Sequence, residues 1–343
     1  MEGTKMALWV VRCGGDGSFE QEALAESIVG IGWGKLGDLS KISTREEVQE
    51  LYARTHPDES IKSQQNQVAQ VFAFRTRIAQ GDLVALPLKN SPSIAFGRIK
   101  GEYKYAPNAH GFVKHQRNVE WIREIPRSSM DQDLLFSFGA FLTVFQVKRN
   151  DAEIRVQALL SGTKPPSTDV PKNLISEEDE ELVENFDVEQ FSRDQIRKVI
   201  EQKFSGHALA ILVGEILKAE GFTVLVSPAG PDGGVDVLAG SGVTGFEEPK
   251  IAVQVKSGSV VVDAPTLREL QGTMTNFGAT NGLVVSWGGF NQAAIKDARK
   301  TFLSLHTWNS DDIIDHVTAN WEKLPEEIRA TLRLKQIWTT LPS

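Results

Sequence analysis

Near its midpoint the chain abandons regular patterning. LSGTKPPSTDVPKN, residues 160–173, is dense in Pro, Ser and Thr, and SEEDEELVENFDVEQ, residues 176–190, follows with a concentration of carboxylates. Segments this polar cannot bury enough apolar surface to join a core. The first reads as a linker, the second as part solvated linker and part helix start. Whatever folds on either side must therefore supply its own core. A length of 343 residues suits two domains of ordinary size, and the expected division is 1–158, a linker over 159–190, and 191–343.

The two sides carry different periods. On the first, ALWVVRCG reads as a buried strand, and SFEQEALAESIVGIGWG as a short helical stretch entering a second strand. In SIKSQQNQVAQVFAFRTRI, Val68, Val71, Phe72 and Ile78 fall along one helical face. GDLVALPL, SIAFGRIKGEYKY and HQRNVEWIREIP follow as strand-like runs bounded by Gly, Pro or Asn. Short strands with few helices predict an α+β domain built on a compact barrel or strongly curved sheet. On the second side Ser192 is the expected N-cap of a helix over FSRDQIRKVIEQKF. GHALAILVGEILKAEGF is a further helix, with an apolar stripe at Leu209, Leu212, Val213, Ile216 and Leu217 and a C-cap at Gly221. TVLVSP, the helix APTLRELQGTMTNFG, the strand NGLVVSWG and the helix NQAAIKDARKTFL complete an alternation that predicts a mixed α/β sheet covered on both faces.

Composition narrows the function. No run of eighteen apolar residues exists, so no membrane partner is expected. MEGTKMALWVVRCGG lacks the pattern of a secretory signal. The single cysteine, Cys13, rules out an intrachain disulfide framework and Cys-rich zinc patterns. A reducing cytoplasm is the expected location. A net charge of −8 and a pI near 5.4 argue against a uniformly basic nucleic-acid-binding surface. They leave room for a focused basic cleft, because many of the carboxylates sit in the central acidic run.

The densest chemistry lies in PDGGVDVLAGSGVTGFEEPKIAVQVKSG, residues 231–258. Gly233 and Gly234 allow a tight turn and a close backbone approach. Asp236 is then the first polar side chain of the strand VDVLA. In IAVQVKSG, Gln254 and Lys256 stand two apart and share a face, while Ile251, Val253 and Val255 face the core. The three polar side chains converge if the strands are neighbours. Phosphodiester hydrolysis needs such a set. A carboxylate holds Mg²⁺, which polarises the phosphate and acidifies water, and a lysine orients that water or stabilises transition-state charge. The blander readings are a turn carboxylate for Asp236 and a solvated strand lysine for Lys256. Asp232 reads as a turn former rather than a ligand. The glycines do not match a G-x-G-x-x-G or G-K-[ST] nucleotide cradle.

PDGGVDV…VQVKSG resembles the Mrr-type catalytic domain of the PD-(D/E)xK nuclease superfamily, in which the middle acidic residue is commonly Gln. The resemblance runs from about Phe191 to Trp308 and takes in FSGHALAILVGEILKAEGF and LRELQGTMTNFGATNGLVVSWGGF. It implies a restriction-endonuclease-like fold in which Asp236 is a metal ligand, Gln254 the second motif residue and Lys256 the catalytic lysine. Mg²⁺ is the implied cofactor, with Mn²⁺ able to substitute. Many superfamily members add a metal-binding Glu from the first core helix. Glu215 is the candidate, with His207 two turns earlier, although a helix-start histidine is more often simply satisfied by its surroundings. Gln271 in LRELQG either lines the same cleft or packs its helix.

The first half carries aromatic residues around polar strands: Trp9, Trp33, Phe96, Tyr103, Tyr105 and Trp121. Trp9 and Phe96 read as core, whereas Trp33, set between glycines, reads as ligand-facing. The pattern WVVR…GIGWG…GDLVALP…GRIKGEYKY…VEWI is similar to the PUA-like superfamily that includes EVE and YTH domains. That similarity implies a small barrel holding a modified or flipped base in an aromatic pocket. Base stacking is worth about 1–3 kcal/mol and extraction of a base costs a few kcal/mol, so the pocket must add hydrogen bonds. Arg12, Lys35, Asp38 and Ser40 are candidates by their sequence proximity to Trp9 and Trp33.

Together these readings predict a modification-dependent, type IV-like DNA endonuclease that restricts foreign DNA. Its partner would be modified double-stranded DNA, and it would act as a homodimer or higher oligomer, since duplex breakage needs two active sites. The alternatives are a catalytically silent nucleic-acid-binding module and a reader of modified RNA.

Overall fold

The computed structural model describes residues 6–14, 17, 19–89, 91–107, 113–163, 187–228, 230 and 233–338. Asp232 and most of the expected linker lie outside them. The chain divides between Val188 and Glu189 into two compact units.

The first unit is built on one curled sheet. Its strands are β1 (Leu8–Val11), β2 (Ile28–Ile31), β3 (Leu83–Pro87), β4 (Ser93–Ile99), β5 (Lys104–Tyr105), β6 (His115–Pro126) and β7 (Val144–Val147), in the order β2-β6-β4-β3-β1-β7 with β5 on β6. Only β1 and β3 run parallel. β1 reads as an unbroken apolar run because both its faces are covered. Leu8 and Val10 enter a core with Phe96 and Phe138, whereas Trp9 and Val11 enter another with Phe74 and Val84. The long β6 serves two ladders, pairing β2 and β5 through its first half and β4 through its second, with a register shift beside Gly97. Such an irregularity bends a strand, and the sheet curls into a half-barrel that fits the expected small barrel.

The unit holds more helix than its sequence suggests. Among the described residues, α1 (Glu20–Ala25), α2 (Arg45–Thr55), α3 (Ile61–Phe72), α4 (Gln132–Ser137) and α5 (Ala152–Leu160) accompany the sheet. α2 and α3 close a small core of Leu39, Val48, Tyr52, Val68 and Val71. α2 opens with a capping box in which Thr44 and Glu47 bind reciprocally. The buried Arg155 ties α5 to the α4 region through Asp133 at 2.6 Å and Asp131 at 2.7 Å.

The second unit is a five-stranded mixed sheet in the order β12-β11-β10-β9-β8, from β8 (Thr223–Val226), β9 (Val237–Ser241), β10 (Glu247–Lys256), β11 (Asn281–Ser286) and β12 (Leu305–Trp308). β8, β9 and β10 form an antiparallel meander, and β10, β11 and β12 are parallel. One face packs under α6 (Val188–Lys203) and α7 (His207–Ala219), together with α10 (Ser310–Ala319) and α11 (Glu326–Leu332). The other packs under α8 (Ala264–Met274) and α9 (Gln292–Lys300). All five residues of the expected α7 stripe are buried. A Cβ on Gly214 would stand 2.7 Å from Val226, so glycine sets how closely α7 approaches the sheet. The helix ends as its sequence predicts: Gly221 (φ +103°) donates to the Lys218 carbonyl and Phe222 to that of Leu217.

One expectation fails here. Ser192 does not cap its helix, which already runs from Val188. Val188 and Phe191 extend the helical apolar spacing into the end of the acidic run. The anchor of α6 lies further along, where buried Arg197 bonds Asp194 at 2.6 Å, Ser310 Oγ at 3.2 Å and the Asp311 carboxylate.

Candidate active site

β9 and β10 are neighbours, with Val237 paired to Val253 and Ala239 to Ile251. Asp236 lies one residue before β9, where the two strands part. Its amide still donates to the Val253 carbonyl at 2.9 Å, and its carbonyl accepts from Ser227 at 2.8 Å. Its carboxylate Oδ2 accepts the Val255 amide at 2.7 Å. A side-chain oxygen thus takes a position that a strand carbonyl would otherwise fill, and this charge-assisted bond fixes the carboxylate at the opening between the strands.

Gln254 stands on the β10 face that shares its core with Ala252 and Val284, under α8. Val253, with Ile251 and Val255 packed around it, belongs to the opposite core. The period-two reading of IAVQVKSG thus matches the observed faces. Gln254 is 3% exposed, and its Oε1 has no hydrogen-bond partner among the described residues. Gly234 (φ +87°) belongs to the turn covering it, and a Cβ there would stand 3.8 Å from Gln254 Nε2. Lys256 ends β10 with an exposed side chain, paired to Ser286 of β11.

The other candidates are dispersed. Glu215 sits on α7, which packs against the other sheet face, and its carboxylate accepts from Lys218 at 2.6 Å. His207 is the first residue of α7 and half-buried. Gln271 is half-buried on α8, beside the buried stripe of Leu267, Leu270 and Met274. Among the described residues no group of three or more His, Cys, Asp or Glu side chains could hold a metal ion. The residues present still fit a hard cation. The Asp236 carboxylate is fixed on the Val255 amide, and the residue before it on β10, Gln254, has an amide oxygen buried without a partner among the described residues; Mg²⁺ commonly takes one or two protein oxygens while keeping several waters.

The first unit contains a second candidate site, a cavity of about 530 Å³ lined by Trp33, Arg12, Lys35, Glu59, Lys89 and Phe141, among others. Trp33 adopts a left-handed backbone (φ +56°, ψ 31°), a conformation that costs a non-glycine residue energy and persists only where its surroundings enforce it. Fully buried His115 lies with Nε2 3.2 Å from the Trp33 carbonyl and Nδ1 2.7 Å from the Tyr103 hydroxyl. Burial pushes the His115 pKa down, opposed by its bond to Trp33. A neutral ring donating from Nε2 and accepting at Nδ1 satisfies both contacts. Tyr52 lines the same cavity as Trp33. The Tyr52 hydroxyl reaches both Glu59 carboxylate oxygens at 3.2 Å, and its ring stacks on His56 at 4.3 Å. Burial first, then the Glu59 charge, push the Tyr52 pKa up to about 12.

Asp38 and Ser40 do not line this cavity. Gly37 (φ +67°) redirects the chain, and the Asp38 carboxylate accepts the Ser40 amide at 2.8 Å and hydroxyl at 2.6 Å in an exposed turn. Those bonds hold the Asp38 pKa below the usual carboxylate range. Tyr52, His56, Glu59 and Phe141 are not among the sequence expectations; the Thr44–Glu47 capping box and the Ser60 cap are the signals that could have found the segment carrying the first three.

Residues 201–317 match the family model for the Mrr catalytic domain, described as a restriction endonuclease. Residues 9–139 match a domain of unknown function, which does not identify the first unit as PUA-like. No curated protein matches the chain. Among solved structures, the DNA modification-dependent restriction endonuclease AspBHI is 14% identical, covering 80% of this chain and 74% of its own, at a TM-score of 0.32. The MspJI restriction endonuclease, solved in complex with a 27-mer oligonucleotide, is 13% identical, covering 96% and 80%, at a TM-score of 0.30. The fold and the family match define the second unit as a nuclease domain of the restriction-endonuclease type. More narrowly, the match is to the Mrr catalytic domain, a restriction-endonuclease family, over residues 201–317 of that unit. Among the described residues no helix is long and apolar enough to cross a membrane.

Proposed function

We propose that the protein is a modification-dependent DNA endonuclease that restricts foreign DNA in the cytoplasm, using Mg²⁺ or Mn²⁺. The observation that carries this reading is the buried Gln254 amide oxygen, without a partner among the described residues, next in sequence to the Val255 amide that holds the Asp236 carboxylate, within a domain matched to Mrr nucleases. Asp236 and Gln254 would hold the ion, with Glu215 a further candidate ligand. When bound, the ion supplies Lewis acidity at the scissile phosphate and lowers the pKa of water. The Val255 amide holds Asp236 in place. Lys256, exposed at the strand end, meets the phosphate from solvent and either orients the attacking water or stabilises charge as the P–O bond breaks. His207 and Gln271 remain cleft candidates without an assigned role. The PUA-like first unit would present the Trp33 cavity to a modified base, and two copies would assemble on DNA to cut both strands.

The test is cleavage of matched plasmids that differ only in cytosine or adenine modification, with and without Mg²⁺. Cutting confined to one modified plasmid and to Mg²⁺ supports the reading, and equal cutting of all plasmids removes the reader function. A second reading, a catalytically silent binding module for DNA or modified RNA, is favoured by the lack of a three-acid cluster among the described residues. Retained binding to modified DNA or RNA with no nicking in Mg²⁺ or Mn²⁺ would establish it.

A further inference from the structure

Arg12 is largely buried at the wall of the Trp33 cavity, yet its guanidinium is poorly satisfied. Nη2 donates to the Phe138 carbonyl at a long 3.3 Å, and Nη1 stands 4.0 Å from Asp187. Nε is buried with no partner among the described residues. Burial disfavours its charge, Asp187 opposes that effect, and Arg127 adds to it. A buried cation this incompletely paired is costly, and native structures rarely leave such donors without a purpose. Lys35 and Lys89 line the same cavity against one carboxylate, Glu59, in a chain whose net charge is −8. The cavity is thus a local cationic site beside Trp33, whose carbonyl is held by His115. At about 530 Å³ it also falls within the range of about 300–1,000 Å³ typical of sites for drug-sized ligands, which leaves room beyond a single planar ring.

We propose that this cavity binds a nucleotide rather than a base alone, with Arg12 as its phosphate anchor and Lys35 assisting at the rim. Arg12 thereby passes from a base-reading to a phosphate-reading role, because a planar guanidinium suits phosphate oxygens. The ring contact rests on the base-reader function proposed above, whereas the phosphate contact rests on Arg12 itself. Two sources share this chemistry: a nucleotide extruded from a duplex, and a free nucleoside monophosphate.

The test is calorimetric binding of the full chain to 5-methyl-2′-deoxycytidine and N6-methyl-2′-deoxyadenosine, to their 5′-monophosphates, and to duplexes containing each base. For a free-nucleotide source, one monophosphate binds about 10–100-fold tighter than its nucleoside, as expected for charge-assisted hydrogen bonds. Arg12→Met abolishes that gap and Lys35→Ala narrows it. For an extruded nucleotide, only duplexes bind, and Arg12→Met lowers the slope of log affinity against log salt by about one phosphate contact. Lys35→Ala, at an exposed position, keeps the test decisive should Arg12→Met fold poorly. Equal binding of nucleoside and monophosphate, or an unchanged gap and salt slope in both variants, overturns the proposal. If modified and unmodified duplexes bind alike while the slope still falls, the phosphate anchor stands and the base-reader function fails.

Discussion

The two candidate sites are built in opposite ways. At the β9–β10 opening, Asp236, Gln254 and Lys256 come from two neighbouring strands within 21 residues of sequence, and the alternation of a single strand aims two of them. The Trp33 cavity draws Arg12, Trp33, Glu59, Lys89 and Phe141 from five separate segments. A short-range site needs only correct strand pairing, whereas a cavity assembled from distant segments needs the whole unit folded around it. The first should therefore lose function to single side-chain changes without losing fold. The second should be sensitive to anything that loosens its unit.

The sharpest way to break that contrast is at Lys256. Lys256→Ala, exposed at a strand end, should lower plasmid cleavage by about 10²–10³-fold or more, with the melting temperature and DNA affinity unchanged. Cleavage at the wild-type rate would remove the lysine from the mechanism. Next comes the other site: Trp33→Ala should cost about 1–3 kcal/mol of binding to modified DNA, seen as a collapse of the preference for modified over unmodified duplex. A preference that survives would place recognition elsewhere. Of similar size but opposite sign is Gln254→Met. Replacing a buried amide whose oxygen is unsatisfied should stabilise the metal-free protein by about 1–3 kcal/mol while abolishing cleavage. A fall in stability, measured by denaturant titration, would mean that Gln254 has a structural partner.

The smallest effect is a pH dependence confined to the first unit. The folded pKa of His115 lies below its unfolded value of about 6.5, so the unfolded chain binds the extra proton first. Stability is fully present above pH 6.5 and falls as the pH drops below it, by at most about 1.4 kcal/mol per unit, until the folded pKa is reached. Denaturant titration at neutral and mildly acid pH checks it: a fall in stability below pH 6.5 that is smaller in His115→Gln would confirm the coupling. An equal fall in both would dismiss it.

The same contrast explains what could be read in advance. Strands β1, β3, β4 and β6 were legible because Gly, Pro and Asn bound their apolar runs, and the stripe and terminus of α7 followed from helical spacing. Period two alone puts Gln254 and Lys256 on a common face. The pocket was legible only at Trp33, Arg12 and Lys35. Asp38 and Ser40 stand near them in sequence, but Gly37 turns the chain and Asp38 satisfies itself locally on Ser40. Tyr52, Glu59 and Phe141 reach the cavity through tertiary contacts that no local pattern encodes. α2 went unseen because its polar sequence offers only Val48, Leu51 and Tyr52 to a core. Ser192 failed as a cap because the helical spacing already begins at Val188.

The central claim is that Asp236 and Gln254 together hold a divalent cation where two strands separate. Calorimetric titration of Mn²⁺ into the protein, and into Asp236→Asn and Gln254→Met, tests it directly. The predicted result is binding by the wild type that both substitutions abolish. Unchanged affinity in the two variants, or no binding by the wild type, would contradict it.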